Sequence, residues 1–379
     1  MKFLIIASYP GSVLKFRGAL IKALQDKGFE IHIAAPEFDS HPDDVKLLKS
    51  LGYILHDIPL QRTGTNPLND AAALSSLCLL MKKVKPSHVM AYTIKPVIYG
   101  ILAAWVSKVP NRYALITGLG YAFQQVEETG SRSKLQKLIH GLYKQALSKA
   151  SKVFFQNPDD LNLFKQLKLI SSTTPTAVVN GSGVDVSEYE VAPLPIVDDN
   201  TTELRFLLIA RLLGDKGVRE YAQAAKRIKA KYPQTQFDLV GWIDDNPDSI
   251  EQQELDNWIK DGTINFWGKL SDVKPAIAAS SIYVLPSYRE GTPRTVLEAM
   301  AMGRPVITTN APGCRETVTD GVNGYLVPVK SVDGLTESMQ KFITNPALIN
   351  AMGKASRRIA EEKFDVHAVN NFMLKEMGL

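Results

Sequence analysis

Twice along this 379-residue chain, short apolar runs of strand length alternate with longer stretches of helical periodicity, and a segment rich in proline and aspartate separates the two series. The first series predicts strands at 3–7, 31–34, 54–57, 88–91, 112–116 and 153–155, and helices at 14–27, 71–84, 134–150 and 159–167. It closes on Val178-Val179-Asn180-Gly181, a strand running into a turn. The segment 190–202 (EVAPLPIVDDNTT) reads as a linker. The second series predicts strands at 204–209, 236–240, 264–266, 282–285 and 305–308, with helices at 217–231, 250–260, 273–279, 294–302, 332–344 and 347–363. Strand–helix alternation at this spacing implies a parallel sheet covered on both faces, hence an α/β fold built as two doubly wound domains. The first is expected over 1–188 together with a last helix from about 364 to 379, and the second over 189–363. Open α/β sheets bind ligands at the carboxyl ends of their strands. Two in tandem are therefore expected to face each other across an interdomain cleft, with the chemistry in the loops that follow strands.

The composition is that of a soluble globular protein, 45% apolar and 22% charged. Cys78 and Cys314 are far apart and without CxxC spacing, so neither a disulfide framework nor a zinc site is expected, and a reducing, cytoplasmic compartment is. The opening MKFLIIASYPGS resembles a signal peptide, but its apolar run of about six residues breaks at Tyr-Pro-Gly and reads as a buried first strand. No run approaches the roughly 20 apolar residues of a membrane span; the nearest, 97–106, reads as a buried core helix. The net charge of +5 is uneven: residues 1–190 hold 22 Lys+Arg against 15 Asp+Glu, and residues 191–379 hold 22 against 24. A basic half suits a polyanionic partner, a membrane surface or a nucleic acid.

Four features of the second half line up in order. The strand 204–209 leads into Ala210-Arg211-Leu212-Leu213-Gly214-Asp215-Lys216-Gly217 and then a helix. Fixed cations beside a helix start suit a diphosphate. The strand 282–285 leads into Ser287-Tyr288-Arg289-Glu290-Gly291-Thr292-Pro293, where Thr292 is expected to cap a helix and Pro293 to occupy its first turn. The amides of Glu290, Gly291 and Thr292 are then expected to face an anion or sugar hydroxyls. Glu298 lies inside the apolar run Leu297–Met302, where a carboxylate demands a partner. Last, Gly303-Arg304-Pro305, Pro312-Gly313 and Gly321…Gly324 read as turns bounding short strands, scaffold more than chemistry.

Ala-Arg-Leu-x-x-x-Lys-Gly followed by Pro-Ser-x-x-Glu-Gly-x-Pro-x-x-x-Leu-Glu-Ala-Met-Ala-x-Gly-x-Pro-Val-Ile resembles the retaining GT-B glycosyltransferases of family GT4, with Glu290 and Glu298 as the Glu-x7-Glu signature. Asn180-Gly181…Val184-Asp185 is similar to the hinge motif of that family. Tyr92-Thr93-Ile94-Lys95-Pro96 and the segment 116–123 are similar to a subgroup that adds GalNAc- and Gal-type sugars to glycans on undecaprenyl diphosphate. The resemblance implies a GT-B architecture of two facing Rossmann-like domains and a UDP-sugar donor as co-substrate. It implies that Arg211 and Lys216 grip the diphosphate, that Glu290 binds hydroxyls of the transferred sugar and that Glu298 binds the ribose. Gly241, Leu270, Gly291, Thr292 and Pro293 would line the donor. Gly11, in the Pro10-Gly11-Ser12 loop, would let donor and acceptor approach, or serve as a plain turn. Ser12, Arg17, Lys95, Thr117 and Gly118 would meet a lipid-linked saccharide acceptor. Many members of the family carry a histidine near Thr117; this chain has none there, and Thr117 or the Gly118 amide is expected to replace it.

No metal requirement is expected, because Arg211 and Lys216 supply the positive charge and the pairs Asp43-Asp44, Asp159-Asp160 and Asp244-Asp245 stand alone in sequence. Lys82, Lys83, Lys85, Lys134, Lys137, Lys144 and Lys149, with Phe16 and 121–123, suit an anionic membrane surface, so the chain is expected at the inner face of the plasma membrane as a peripheral protein. Nucleic-acid binding is not expected, since the basic residues do not interleave with aromatics. Nor is a dehydrogenase, for no Gly-x-Gly-x-x-Gly follows an early strand. A UDP-sugar epimerase of the same architecture and a non-catalytic nucleotide-sugar binder are the alternative readings.

Overall fold

The computed structural model describes residues 1–61, 66–119, 130–195, 204–244 and 246–379, with the backbone alone for 130–135. Tyr121, Ala122, Phe123, Asp245, the side chain of Lys134 and most of the expected linker lie outside this description. The chain divides into two compact units, Met1–Ser182 with Val369–Leu379, and Gly183–Ala368. The first break follows from backbone pairing. Val184 N–H donates to Phe364 O at 2.8 Å and Val366 N–H to Val184 O at 3.0 Å, which ties the segment after Ser182 to the second unit.

The first unit is a parallel seven-stranded sheet of β1 (Lys2–Ile6), β2 (Glu30–Ala35), β3 (Ile54–Asp57), β4 (His88–Tyr92), β5 (Asn111–Ile116), β6 (Lys152–Phe155) and β7 (Thr176–Val178), in the order β3-β2-β1-β4-β5-β6-β7. Alternate residues of a strand point to opposite faces, so a strand covered on both must be apolar throughout. β1 is so from Phe3 onward: Leu4 and Ile6 join one buried layer with Met81, Ile101 and Tyr143, while Phe3 and Ile5 join the other with Leu20 and Leu24. The last helix, Val366–Met377, adds Met373, Leu374 and Met377 to that second layer, and Tyr113 Oη donates to Met377 O at 2.9 Å.

The second unit repeats the plan with β8 (Arg205–Ile209), β9 (Gln236–Val240), β10 (Asn265–Gly268), β11 (Ile282–Leu285), β12 (Val306–Thr309) and β13 (Gly324–Val327), parallel and ordered β10-β9-β8-β11-β12-β13. Phe206 and Leu208 face one layer, Leu207 and Ile209 the other. Arg304 sits between its elements with no exposed surface. Its guanidinium donates five hydrogen bonds, at 2.9–3.2 Å, to the carbonyls of Ala192, Pro193, Ile277, Ala278 and Met302.

Three elements differ from the sequence reading, one of them the strand Gly324–Val327, which follows a stretch read only as a turn bounding short strands. The helix Pro42–Ser50 was not expected, although Pro42 in its first turn, with Asp43 and Asp44, is a helix-start signal. The stretch expected as one core helix, 97–106, begins as a π-turn at Pro96–Gly100 before the α-helix Ile101–Val106. A Cβ on Gly100 would lie 2.8 Å from Ile6 Cδ1 and 3.3 Å from Ala91 Cβ, so the turn packs closely against β1 and β4.

Candidate active site

In the second unit the chain goes from β8 to β9 and β10 on one side and then to β11 on the other. The carboxyl ends of β8 and β11 therefore lie together where the connections diverge, the position at which open α/β sheets bind ligands. β8 delivers Arg211 and the tight turn Gly214–Lys216; β11 delivers the loop 286–293. Gly217 lets the two loops touch. It has φ 69°, and a Cβ there would lie 2.3 Å from Pro286 O. Tyr288 N–H then donates to Asp215 O at 2.8 Å.

That approach brings together side chains 74 residues apart. Lys216 Nζ donates to Glu290 Oε1 at 2.6 Å, and Ser287 Oγ donates to the same oxygen at 2.8 Å. The pair is mostly enclosed, 15% and 18% exposed. Burial pulls the Lys216 ammonium down, but the Glu290 and Asp215 carboxylates outweigh it and hold the group above its ordinary value. Asp215 is pushed up, by burial first and then by Glu290 and Asp248, against the pull of Lys216 and Arg211. Its Oδ1 is buried without a hydrogen-bond partner among the described residues. Arg211 Nη1 donates to Asp244 Oδ2 at 2.9 Å.

The Glu290 loop is held from behind by β12 and its following turn. Thr309 Oγ1 donates to Ser287 O, and the Glu290 amide donates to Pro312 O at 2.9 Å. Gly313, at φ 81°, is needed for this, since a Cβ there would lie 2.1 Å from Glu290 O. The expectation of a ligand-facing Glu290 amide is thus corrected: Pro312 takes that donor. Thr292 does not cap the next helix either. The helix is Arg294–Ala301 with Pro293, not Thr292, in the cap position, and Thr292 Oγ1 donates to Gly291 O at 3.0 Å. Pro293 holds ψ at 110°, extended, so the helix starts one residue beyond it, and its carbonyl accepts from the amides of Val296 and Leu297. Glu298, 2% exposed on this helix, has the partners its apolar setting demands: Arg294 Nε at 2.7 Å and Tyr189 Oη at 3.1 Å. Burial, reinforced by Glu298, raises the Tyr189 phenol in turn. Gly241 and Leu270 have packing reasons of their own. A Cβ on Gly241 would lie 2.0 Å from Ala210 O, and Leu270 packs on the buried layer that holds Val240 and Ile277.

In the first unit the corresponding divergence lies between β1 and β4. Here the groups are hydroxyls. Ser12 Oγ lies 2.9 Å from Tyr92 Oη, and Thr93 Oγ1 donates to Ser8 Oγ at 3.0 Å. Thr93 has φ 69°, a left-handed conformation that a β-branched residue rarely adopts. Burial pushes the Tyr92 phenol up to about 12, with Ser12 and Arg17 opposing. Lys95 Nζ donates to Asp70 Oδ1 at 2.8 Å. Thr117 and Gly118 follow β5, and Gly118 has φ 134°. Arg17 is 4% exposed with its guanidinium 5.5 Å from the Tyr92 ring centre, so it lies in the interior behind Tyr92. An open cavity of about 680 Å³, lined by Lys2, Glu30, Lys83, Lys85 and Ser87, lies instead at the amino ends of β1 and β2, away from these residues.

Residues 203–345 match the family model for glycosyl transferases group 1, and residues 9–157 that for glycosyl transferase 4-like domains. The chain is a GT4-type glycosyltransferase. Its relatives include the N,N'-diacetylbacillosaminyl-diphospho-undecaprenol alpha-1,3-N-acetylgalactosaminyltransferase of Campylobacter jejuni, 27% identical over 89% of this chain and 88% of that one. Another is the UDP-Gal:alpha-D-GlcNAc-diphosphoundecaprenol alpha-1,3-galactosyltransferase of Escherichia coli, 26% identical over 82% and 79%. Among solved structures, Anabaena HepE in complex with UDP superposes with a TM-score of 0.78, at 18% identity over 100% of both chains. The sucrose-phosphate synthase of Thermosynechococcus elongatus superposes with 0.80, at 20% identity over 99% and 98%. These superpositions place the fold in the GT-B class.

In this glycosyltransferase the structure joins Lys216 to Glu290, sets Arg211 on the same strand end, and sets Ser12 against Tyr92. It pairs Glu298 with Arg294 and Tyr189. The sequence reading passed over Ser287, Asp215, Asp244 and Tyr189. Ser287 stands in the quoted motif, and its position after β11 was the available signal; Asp244 and Tyr189 gave none, because their partners are 33 and 109 residues away.

Proposed function

We propose that this glycosyltransferase moves a hexose, GalNAc or a related sugar, from UDP to a saccharide carried on a polyprenyl diphosphate, with retention of anomeric configuration. The Lys216–Glu290 contact carries the reading. A cation suited to a diphosphate and a carboxylate suited to sugar hydroxyls meet at the strand ends where this fold binds ligands. Acceptors on undecaprenyl diphosphate are named for both relatives, and UDP is bound in HepE.

In the reaction the bond from the anomeric carbon to the diphosphate oxygen breaks, and its electron pair stays on the diphosphate. Arg211 and Lys216 stabilise that charge more in the transition state than before it. Glu290 orients the sugar through its hydroxyls, and Glu298 is assigned to the ribose. The acceptor hydroxyl attacks the anomeric carbon from the face the leaving group departs, and its proton passes to a diphosphate oxygen. The first unit takes the acceptor, with Ser12, Lys95, Thr117 and Gly118 at its strand ends, and Gly11 lets donor and acceptor approach. No metal is required, because the two cations provide the charge a divalent ion would otherwise bring. Full turnover in EDTA checks this. Among the described residues no helix is long and apolar enough to cross a membrane. Exposed Lys82, Lys83, Lys85, Lys137 and Lys144 suit peripheral binding to an anionic leaflet, at about 1 kcal/mol each near the surface.

UDP release from a panel of UDP-sugars, with and without undecaprenyl diphosphate-linked saccharides, tests the reading. Release that needs one donor and one lipid-linked acceptor supports it, and proton NMR of the new anomeric centre tests retention. Donor consumption that ignores the acceptor points to an epimerase. Tight UDP binding without turnover points to a regulatory binder.

A further inference from the structure

We propose that Tyr9, His41 and Asp44 form a pyranose-binding wall in the first unit, contacting the terminal sugar of the acceptor. The inference rests on the transferase reading above and adds residues to it. Tyr9 follows β1 and His41 follows β2, so both stand at the carboxyl edge of the sheet beside Ser12 and Tyr92. The Tyr9 ring meets the His41 ring edge-on, with centroids 4.8 Å apart at 86°. His41 Nδ1 lies 3.8 Å from Asp44 Oδ2. Asp44 Oδ2 and Tyr9 Cε1 both close over Gly11, at 3.0 and 2.8 Å from where a Cβ would be. All three side chains keep contact with solvent: Tyr9 is 37% exposed, and the side chains of His41 and Asp44 are 24% and 38% exposed. Apolar packing does not account for an aromatic ring, an imidazole and a carboxylate held together in the open.

The group is also held in place. Ser12 Oγ donates to Tyr9 O at 2.6 Å and itself lies against Tyr92 Oη. The carbonyl of His41 accepts from Val45 N–H at 3.0 Å at the start of the helix Pro42–Ser50. The turn before it passes through Glu37 at φ 60°, a strained conformation for a residue with a side chain, and the Phe38 amide lies 3.4 Å from Asp57 Oδ1. A backbone strained and pinned beside a strand end, carrying partly open polar groups, is one arranged in advance for a ligand.

The chemistry names the ligand. A pyranose offers an apolar C–H face and a rim of hydroxyls. The Tyr9 ring takes the face, Asp44 accepts from hydroxyls, and the edge of His41 opposite Nδ1 meets another.

The experiment compares wild type with Tyr9→Leu, His41→Ala and Asp44→Asn, measuring KM for the lipid-linked acceptor and for the UDP-sugar separately, with thermal unfolding to confirm folding. Each variant is expected to raise the acceptor KM by about tenfold, with the donor KM unchanged. Asp44→Asn is further expected to lose discrimination against an acceptor lacking one hydroxyl of its terminal sugar. Folded variants with an unchanged acceptor KM, or with both KM values rising together, overturn the wall while leaving the transferase reading intact. A wild type that turns over donor with no saccharide acceptor overturns both.

Discussion

The two units share a strand order through six strands and differ in what they place at the point where it reverses. The first presents mainly hydroxyls and rings, Ser8, Ser12, Tyr92 and Thr93, with one close ion pair, Lys95–Asp70, beside them. The second presents ions: Arg211, Asp215, Lys216 and Glu290. The overall charge runs the other way, with 23 Lys+Arg against 13 Asp+Glu in the first unit and 21 against 26 in the second. Net charge thus does not locate chemistry. A fold repeated twice supplies the position, and a few side chains at that position decide its chemistry.

The largest break in the comparison comes from removing a cation. Lys216→Ala and Arg211→Ala are each expected to lower turnover at saturating donor on the order of 10²–10³-fold, measured as UDP release. If either variant turns over like wild type, the second unit is not the ionic half of the reaction. The glycines give the next effect. Gly217→Ala must put a Cβ 2.3 Å from a backbone carbonyl at φ 69°, and is expected to lose about 2–4 kcal/mol in denaturant unfolding together with donor affinity. Gly11→Ala meets the side chain of Tyr9, which can move, and is expected to lose less than half as much. Equal losses would mean that the two loops are equally rigid.

Glu298→Gln breaks the buried pair with Arg294 and is expected to cost about 1.5–3 kcal/mol of stability, against about 1 kcal/mol for Tyr189→Phe. The smallest effect belongs to the first unit. His56 lies with its Nε2 2.8 Å from His32 Nδ1, and burial, then His32 and Lys83, lower it from 6.5 to about 4. Between those values the unfolded chain binds the proton and the folded one does not. Stability contributed by neutral His56 is therefore complete above pH 6.5 and is lost as pH falls toward 4. The expected loss is on the order of 1 kcal/mol once solvent screening is allowed for, read from unfolding curves at pH 7 and pH 4.5 and absent in His56→Gln.

Much of this was legible in the residues. β11 is apolar throughout, and β1 and β8 are apolar after their half-buried first residues Lys2 and Arg205, because both faces of each are covered, and that pattern needs no knowledge of neighbours. The positions of Arg211, Lys216 and Glu290 in loops after strands were legible, because the strands before them are; the contact between Lys216 and Glu290 was not. The Thr292 cap was misplaced because local propensity does not foresee that Pro293 holds an extended ψ.

Sequence alone therefore determined the two α/β series, the strands buried on both faces and the charged loops. Tertiary structure decided which of those charges meet. Lys216 finds Glu290, Tyr189 finds Glu298, and Arg304 gathers carbonyls from 192–193, 277–278 and 302. Each pairing depends on strand order and on the crossover connections that set it. Sheet order is fixed by the packing of whole layers, and spacing along the chain carries no record of it.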